Sequence, residues 1–255
     1  MLTLRDPMPQ VRAACTRNNF AWLRASGCRI DARGPWWSVW HDELPEYRAL
    51  LVLREAAPAS ARDVEDAVAD AARNGLAVYV DAGASTDWAR ALCARGYATT
   101  LHSSVRVAAV GSSPATTSSL RMRRLGTLEA DAWTALYMRV FDRPASLAAA
   151  ERRRWQRALG EVRLQHYLYE HDGVAAGLCE LCVDDAVAGL YSVGFVPAER
   201  RPRLLRLAVQ MARDVVRAQG LRLMYFERVR KPPLKPDAAQ AVRRVVRHFD
   251  AWTLG

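Results

Sequence analysis

Three arginines in one short loop have a type and spacing that suggest binding chemistry. Arg200, Arg201 and Arg203 lie in the segment PAERRPRLL at positions 197–205. Guanidinium groups form paired hydrogen bonds to phosphate or carboxylate oxygens, so this segment predicts an anion-binding loop. The alternative interpretation is a solvated basic loop that holds no ligand.

Two carboxylates, Glu180 and Glu227, lie inside apolar runs with the pattern of strands. A carboxylate that is placed beside a substrate can take a proton as a general base. The other interpretation is a solvated or ion-paired side chain, which is the more usual state of a carboxylate at a strand edge. The sequence leaves both interpretations open for each residue.

The cysteines and histidines predict neither a metal site nor a disulfide framework. Cys179 and Cys182 are three residues apart in a predicted strand, so they should face opposite sides of a sheet and cannot chelate one metal ion. The cysteines are scattered and odd in number, namely Cys15, Cys28, Cys93, Cys179 and Cys182. The histidines show no metal-ligand spacing and are His41, His102, His166, His171 and His248.

The elements around these residues form a meander, a loop, a long helix and a further strand. Asp172-Gly173 and Asp184-Asp185 are turn signals between hairpin strands. Pro197 ends the third strand, and Gly220 ends the helix that follows the arginine loop. The predicted strands are Tyr167–Tyr169, Val174–Val183, Val187–Val196 and Arg222–Val229.

Further elements lie on either side of this block. A strand at Leu120–Leu125 and helices at Leu128–Phe141 and Pro144–Leu159 precede it, the second helix with Glu151–Arg154 on its predicted solvent side. An amphipathic helix with a basic face is predicted at Asp237–Trp252.

The N-terminal half repeats an alternation of strands and helices up to a small, polar segment. Ser60 is a candidate cap for one of its helices. The segment Gly111–Ser119 reads GSSPATTSS and predicts a linker. The predicted elements are a helix at Val11–Ser26, strands at Pro35–Trp40 and Arg48–Arg54, a helix at Ala59–Asn74, a strand at Leu76–Val80, a helix at Thr86–Arg95 and a strand or hairpin at Thr99–Val110.

This order of elements resembles the GCN5-related N-acetyltransferase (GNAT) superfamily in tandem form. The C-terminal half matches the superfamily's core, and Gly96-Tyr97 stands where the fold often has Gly-Phe. The resemblance implies an α/β (α+β) fold with mixed, mostly antiparallel central sheets flanked by helices. It also implies a degenerate GNAT-like half at 1–110, a linker at 111–119 and a GNAT-like domain at 120–255.

The resemblance further implies an acyl donor and where it binds. The donor would be acyl-CoA, such as acetyl-CoA, or a phosphopantetheine thioester on a carrier protein, and no metal would take part. In the superfamily the third hairpin strand carries the thioester, and the loop and helix that follow hold the pyrophosphate. The residues at those places are Val193, Gly194, Phe195, Val196, Arg200, Arg201, Arg203, Leu204 and Leu205.

The arginine loop departs from the superfamily's motif, which is Gln or Arg, two residues, Gly, one residue, then Gly or Ala. Arg200 takes the first place, but Arg203 and Leu205 stand at the two small positions. Small residues let backbone N–H groups approach a phosphate at a helix N-terminus, and Pro202 removes one such donor. Three interpretations stay open: arginine side chains replace the backbone contacts, CoA binding is lost, or the loop is solvated.

Acyl transfer to an amine requires a base for the attacking amine and an acid for the leaving thiolate. Glu180 and Glu227 are the candidate bases. Related enzymes often carry a tyrosine acid at the start of the last helix, but the segment KPPLKPDAAQ at 231–240 has none. Tyr191 and Tyr225, both within the predicted sheet, are the candidate substitutes.

Charge and hydropathy limit the partners and the compartment. The formal net charge is +10, which indicates an anionic partner or a solvated basic surface. The start MLTLRDPMPQ lacks the apolar run of a signal peptide, and no apolar run approaches the ~18 residues of a membrane span. We therefore expect a cytoplasmic protein without a membrane partner.

These observations predict an acyltransferase-like protein that moves an acyl group from a pantetheine thioester to the amine of a small molecule or peptide. An acyl or peptidyl carrier protein is a further candidate partner. A second copy of the chain is another, because the predicted C-terminal helix leaves the superfamily's last strand pair missing. The alternatives are a non-catalytic GNAT-fold binding module that has lost CoA binding and, with least support, a transferase that depends on nucleic acid or aminoacyl-RNA.

Overall fold

The computed structural model describes residues 2–3, 5–53, 59–81, 87–111, 119–230 and 243–254. These residues form two compact units, and each unit draws on separate stretches of the chain. Unit 1 takes in Met1–Gly27 and Val107–Phe226, together with residues 243–244. Unit 2 takes in Cys28–Arg106, together with residues 227–230 and 245–254.

The helices and strands, numbered in chain order, follow the predicted sequence of elements except for two strands, at Arg29–Arg33 and Arg243–Leu254. The helices are α1 Met8–Ala25, α2 Ala61–Arg73, α3 Asp87–Ala94, α4 Ala130–Val140, α5 Ala148–Ala158 and α6 Pro202–Ala218. The strands are β1 Arg29–Arg33, β2 Trp36–Trp40, β3 Ala49–Val52, β4 Ala77–Asp81, β5 Tyr97–Ala109, β6 Leu120–Arg124, β7 Leu164–His171, β8 Val174–Val183, β9 Ala188–Phe195, β10 Leu223–Arg230 and β11 Arg243–Leu254.

Unit 1 is built on strands in the order β6-β7-β8-β9-β10. Neighbours from β6 to β9 are antiparallel, and β10 runs parallel to β9. Helix α6 packs on one face of this sheet, whereas α4, α5 and the inner side of α1 pack on the other. Cys179 belongs to the first core and Cys182 to the second, which confirms that the two thiols face opposite sides.

Unit 2 is built on strands in the order β1-β2-β3-β4-β11-β5. Strands β1, β2 and β3 form an antiparallel meander, and β4 runs parallel to β3 after helix α2. Ser60 caps α2 as predicted, since its side chain accepts from the Asp63 backbone and the Asp63 carboxylate accepts in return. Trp36 packs edge-on against Trp88 in the core of this unit.

Both units contain the same run of elements: a three-stranded meander, a helix, and a strand parallel to the last meander strand. The predicted fold of two mixed sheets flanked by helices is therefore confirmed. The division at 1–110 and 120–255 stays a prediction, and positions 112–118 of its linker lie outside the described residues. Helix α1, from the N-terminal end of the chain, packs within unit 1.

The predicted helix at Asp237–Trp252 is wrong over its described part. Residues Arg243–Leu254 form β11, which pairs with β4 through Phe249 opposite Asp81 and Trp252 opposite Val78. Valine and aromatic residues at this spacing suit a helix face or a strand, and pairing with β4 decides for the strand. Residues 237–242 lie outside the described part of the chain.

No described helix has both the length and the apolar character needed to cross a bilayer. Within the same residues, no group of three or more His, Cys, Asp or Glu side chains could hold a metal ion.

Candidate active site

An opening in the sheet of unit 1 lies where β9 stops pairing with β10. The described pairs join Ala188–Leu190 of β9 to Met224–Phe226 of β10. Beyond them, the four residues from Tyr191 to Gly194 are half-buried, whereas those before them are buried. Ser192 has φ 46°, and the β8–β9 register shifts between Leu178 and Glu180, so a bulge lies at the same point. A bulge takes backbone groups out of the strand ladder, which makes them available to a ligand.

Helix α1 places a fully buried amide beside this opening. The Asn18 Nδ2 donates to the Cys182 carbonyl at 2.9 Å, which directs Oδ1 to the other side. Oδ1 accepts from the Tyr225 hydroxyl at 2.9 Å and from the Tyr191 hydroxyl at 3.3 Å. The two tyrosine hydroxyls also lie within hydrogen-bond distance of each other, and because each has one proton, a bond between them replaces one of the bonds to Oδ1. Burial raises the pKa of both tyrosines well above the ordinary value, so both remain protonated at neutral pH.

The same helix joins Glu180 to this tyrosine pair. The Trp22 ring stacks on the Tyr191 ring with centroids 4.4 Å apart, and its Nε1 donates to Glu180 Oε2 at 2.9 Å. Glu180 is 0 % exposed, and this burial raises the pKa of its carboxyl. The charge of Arg154, the nearby Ser192 hydroxyl and the Trp22 N–H offset part of that shift. Among the described residues, neither Ser192 nor any other group completes a hydrogen bond of good geometry to Oε1.

His166 lies directly opposite Glu180 in the β7–β8 pair. The distance from His166 Nε2 to Glu180 Oε2 is 3.9 Å, which is too long for a hydrogen bond. Neither ring nitrogen has a hydrogen-bond partner within the described residues. Burial, together with the charges of Arg154 and Arg124, lowers the pKa of His166 to about 3, so the imidazole is neutral. A buried polar group without a partner costs about 1–3 kcal/mol.

A buried ion-pair cluster lies behind these residues, which corrects the prediction that Glu151 and Arg154 face solvent. Both side chains are 0 % exposed. Glu151 binds Arg154 at 3.2 Å and Arg143 at 3.1 Å, and the Arg154 guanidinium lies 3.9 Å from the Trp155 ring centroid. The Glu151 carboxylate compensates part of the charge of the two arginines, and the aromatic ring favours the cation, which together make burial tolerable. A pattern of spacing alone could not reveal such pairing.

Three of the four candidate catalytic residues are thus brought together, namely Glu180, Tyr191 and Tyr225. Glu227 belongs to unit 2 instead. Sequence reasoning missed Asn18, Trp22 and His166. The available signal was an asparagine at a helix position that the apolar spacing assigns to the buried face, since a buried amide needs specific partners.

The candidate donor-binding residues divide into core positions and an exposed basic turn. Val193 is half-buried, Gly194 lies against Val140, and Phe195, Val196 and Leu204 are buried. The Val196 N–H is already bonded to the Ala176 carbonyl at 2.8 Å.

Arg200 holds the loop between β9 and α6 in place. Its guanidinium donates to the Phe195 carbonyl at 3.2 Å and to the Val140 carbonyl at 2.5 Å, at the C-terminus of α4. Arg201 is the N-cap residue of α6, and its guanidinium lies 3.9 Å from Glu199. All three arginines are exposed, but Arg200 and Arg201 have these contacts within the protein, so Arg203 is the best placed of the three for an external anion.

The start of α6 does not offer the usual backbone cradle for a pyrophosphate. Pro202 has no N–H, and the Leu205 N–H is bonded to the Arg201 carbonyl at 3.1 Å. The Leu205 side chain is 43 % exposed where the superfamily has a small residue. A phosphate at this place would therefore depend on the guanidinium of Arg203.

Comparison with known proteins shows the fold. No protein-family model matches the chain, and no curated protein matches it. The chain is similar to a GCN5-related N-acetyltransferase from Kribbella flavida, with 16 % identity, a TM-score of 0.67 and 94 % of each chain covered. It is also similar to a tandem GNAT protein from the clavulanic acid biosynthesis pathway, with 15 % identity, a TM-score of 0.53 and coverage of 86 % of this chain and 77 % of that one.

A third similar structure is an acetyltransferase of the GNAT family from Colwellia psychrerythraea. Its identity is 11 %, its TM-score is 0.53, and the match covers 86 % of this chain and 81 % of that one. At these identities the likeness is one of fold. The resemblance that the order of elements predicts is therefore confirmed at that level: the chain has an N-acetyltransferase-type fold.

Proposed function

We propose that this protein is an N-acyltransferase that moves an acyl group from a pantetheine thioester to an amine by direct attack. The observation that carries the proposal is the bulged, half-buried stretch of β9 beside a buried carboxylate and a tyrosine pair. A bound pantetheine thioester would supply an activated acyl carbon. The residues of β9 would hold it, with the backbone N–H of Val193 or Gly194 directed at the carbonyl oxygen, where negative charge develops.

Glu180 serves as the base in this account. A neutral amine is needed for attack, and the carboxylate takes a proton from it directly or through one water. The raised pKa of Glu180 brings the carboxyl closer to neutral pH, which suits a base that must gain and lose a proton in each cycle. The tyrosine pair stays protonated and can donate to the leaving thiolate from the Tyr191 hydroxyl.

Arg203 holds the donor's phosphate in this account, because the backbone at the start of α6 is obstructed by Pro202 and Leu205. Either CoA or a carrier-bound phosphopantetheine presents such a phosphate. The same obstruction favours one other candidate function, a binding module that keeps the fold without catalysis. Turnover is expected of an acyltransferase and not of a binding module, so it distinguishes the two functions.

The test is thiol release from acetyl-CoA, longer acyl-CoA compounds and acetyl-pantetheine, each with a panel of primary amines. We expect amine-dependent thiol release by the wild type and loss of that release in Glu180→Gln. Binding of a donor without turnover for any amine would support the binding module. Release that persists unchanged in Glu180→Gln would remove Glu180 as the base.

A further inference from the structure

His166 is a second titratable group on the base side of the proposed site, and the steps above do not use it. It faces Glu180 across the β7–β8 pair, with Nε2 3.9 Å from Oε2. Its ring is held edge-on by Trp133 and Trp155, at centroid distances of 4.8 Å and 5.6 Å. Both His166 and Glu180 are at most 1 % exposed. The packing therefore fixes the imidazole beside the carboxyl.

The unmet hydrogen-bonding capacity of the two residues is complementary. Both nitrogens of His166 and Oε1 of Glu180 are buried without a described partner, whereas Oε2, the oxygen nearest to His166, accepts from the Trp22 N–H. Buried polar groups in native proteins are normally hydrogen-bonded. A neutral imidazole offers one acceptor nitrogen, and a protonated carboxyl offers one O–H donor. A hydrogen bond from the carboxyl to the imidazole requires a protonated Glu180 and an approach closer than the 3.9 Å of this structure, because the ionised carboxylate has no proton to donate.

We propose that His166 is a positioning residue for Glu180, whose carboxyl donates to the unprotonated Nε2 of His166 once it has taken the proton of the acceptor amine. This inference rests on the proposed function. The C–N bond forms as the C–S bond breaks, the amine proton moves to Glu180, and the thiolate takes a proton from the tyrosine pair. The proton on Glu180 then passes to solvent, the tyrosine pair regains a proton from solvent, and His166 stays neutral throughout.

The groups around His166 keep its imidazole neutral, which suits a hydrogen-bond acceptor rather than a group that carries a proton. The pKa of His166 is lowered to about 3 by burial, then by the charges of Arg154 and Arg124. The titratable and charged groups that act on Glu180 or His166 come from α5, β6, β8 and β9, and they are Glu151, Arg154, Arg124, Cys179, Cys182 and Tyr191.

The first arm of the test needs no substrate. In the full chain labelled with ¹⁵N-histidine, the signal that disappears in His166→Phe belongs to His166. Between about pH 5 and about pH 8 we expect a neutral ring that is protonated at Nδ1. Its ¹⁵N chemical shift should change as Glu180 titrates, and that change should be absent in Glu180→Ala. Any of three results would overturn the inference. They are protonation of His166 in the ordinary histidine pH range, a neutral ring that is protonated at Nε2, and a ¹⁵N chemical shift that does not change in Glu180→Ala.

The second arm uses acyl transfer to an amine found active with the wild type. His166→Phe removes the acceptor of the protonated carboxyl, so the pKa of Glu180 falls and the acidic limb of the kcat/KM profile moves down by about one pH unit. His166→Gln retains an acceptor oxygen, so its acidic limb should lie close to the pH of the wild-type limb. Leu168→Ala, a buried change on the same face of β7, should lower stability without moving the limb.

The two arms separate this inference from the proposed function. A limb that stays in place in His166→Phe contradicts the positioning role even if transfer is observed. If the wild type transfers no acyl group to any amine, the proposed function falls. The positioning role falls with it, and the ¹⁵N result then decides only whether the two side chains interact.

Discussion

The replacement Asn18→Ala tests how helix α1 holds the tyrosine pair. It removes a hydrogen bond to the Cys182 carbonyl at 2.9 Å and another from the Tyr225 hydroxyl at 2.9 Å. Each such bond contributes about 1 kcal/mol net, and a buried carbonyl left without a partner costs about 1–3 kcal/mol. We therefore expect the free energy of unfolding to fall by roughly 2–4 kcal/mol.

Asn18→Asp sharpens the test because it replaces the amide by a carboxyl of nearly the same shape. The introduced carboxyl could not donate to the Cys182 carbonyl when ionised, but it could when protonated. Burial raises the folded-state pKa of such a carboxyl above the unfolded value of about 3.9, so the variant loses stability as pH rises through that window. The deficit relative to wild type should be larger at about pH 8 than at about pH 5.

The assay is equilibrium urea unfolding of the full chain, followed by tryptophan fluorescence at both pH values. Val11→Ala is the matched control, since Val11 is buried in the same helix and its loss is purely apolar. The control should show a deficit independent of pH. A loss of less than about 0.5 kcal/mol in Asn18→Ala, or a pH-independent deficit in Asn18→Asp, would refute the role assigned to this amide.

Three further predictions concern charge. Glu151→Gln leaves the buried Arg154 without its carboxylate, and urea unfolding should show a loss of about 3–5 kcal/mol. Because the pKa of Glu180 is raised in the folded state, the wild type loses stability as the pH rises above the unfolded-state pKa of about 4.3. Glu180→Gln should therefore have a higher melting temperature than the wild type at pH 7, and this difference should disappear near pH 4. Arg203→Ala should weaken CoA or phosphopantetheine binding about ten-fold by calorimetry, whereas Arg217→Ala at the other end of α6 should not.

Local signals in the sequence were sufficient for most of the fold. Alternation and turn residues place the hairpin strands β7 to β9, and Ser60 predicts the start of α2, because each depends on residues close together in the chain. The strand β11 could not be predicted in this way. Its residues suit two kinds of element, and β4, which decides between them, is distant in sequence.

The candidate site was predictable only in part, because some of its contacts also join residues that are distant in the sequence. Glu180, Tyr191 and Tyr225 fall on strands whose order the resemblance supplies, so their proximity follows from the sheet. Asn18 and Trp22 reach them from a helix more than a hundred residues earlier in the chain, and no local pattern indicates that long-range packing. Burial of Glu151 with Arg154 is likewise a property of the packed core, since helix periodicity gives no information about ion pairing.

The most direct measurement of the central claim is a crystal structure of the wild-type protein with acetonyl-CoA, and in parallel with acetonyl-pantetheine, in which a ketone replaces the transferable thioester. The account predicts that the ketone oxygen lies within hydrogen-bond distance of the backbone N–H of Val193 or Gly194, with the pantetheine arm between β9 and β10. An analogue bound elsewhere on the chain, or an opening that stays free of both analogues at saturating concentration, would contradict it.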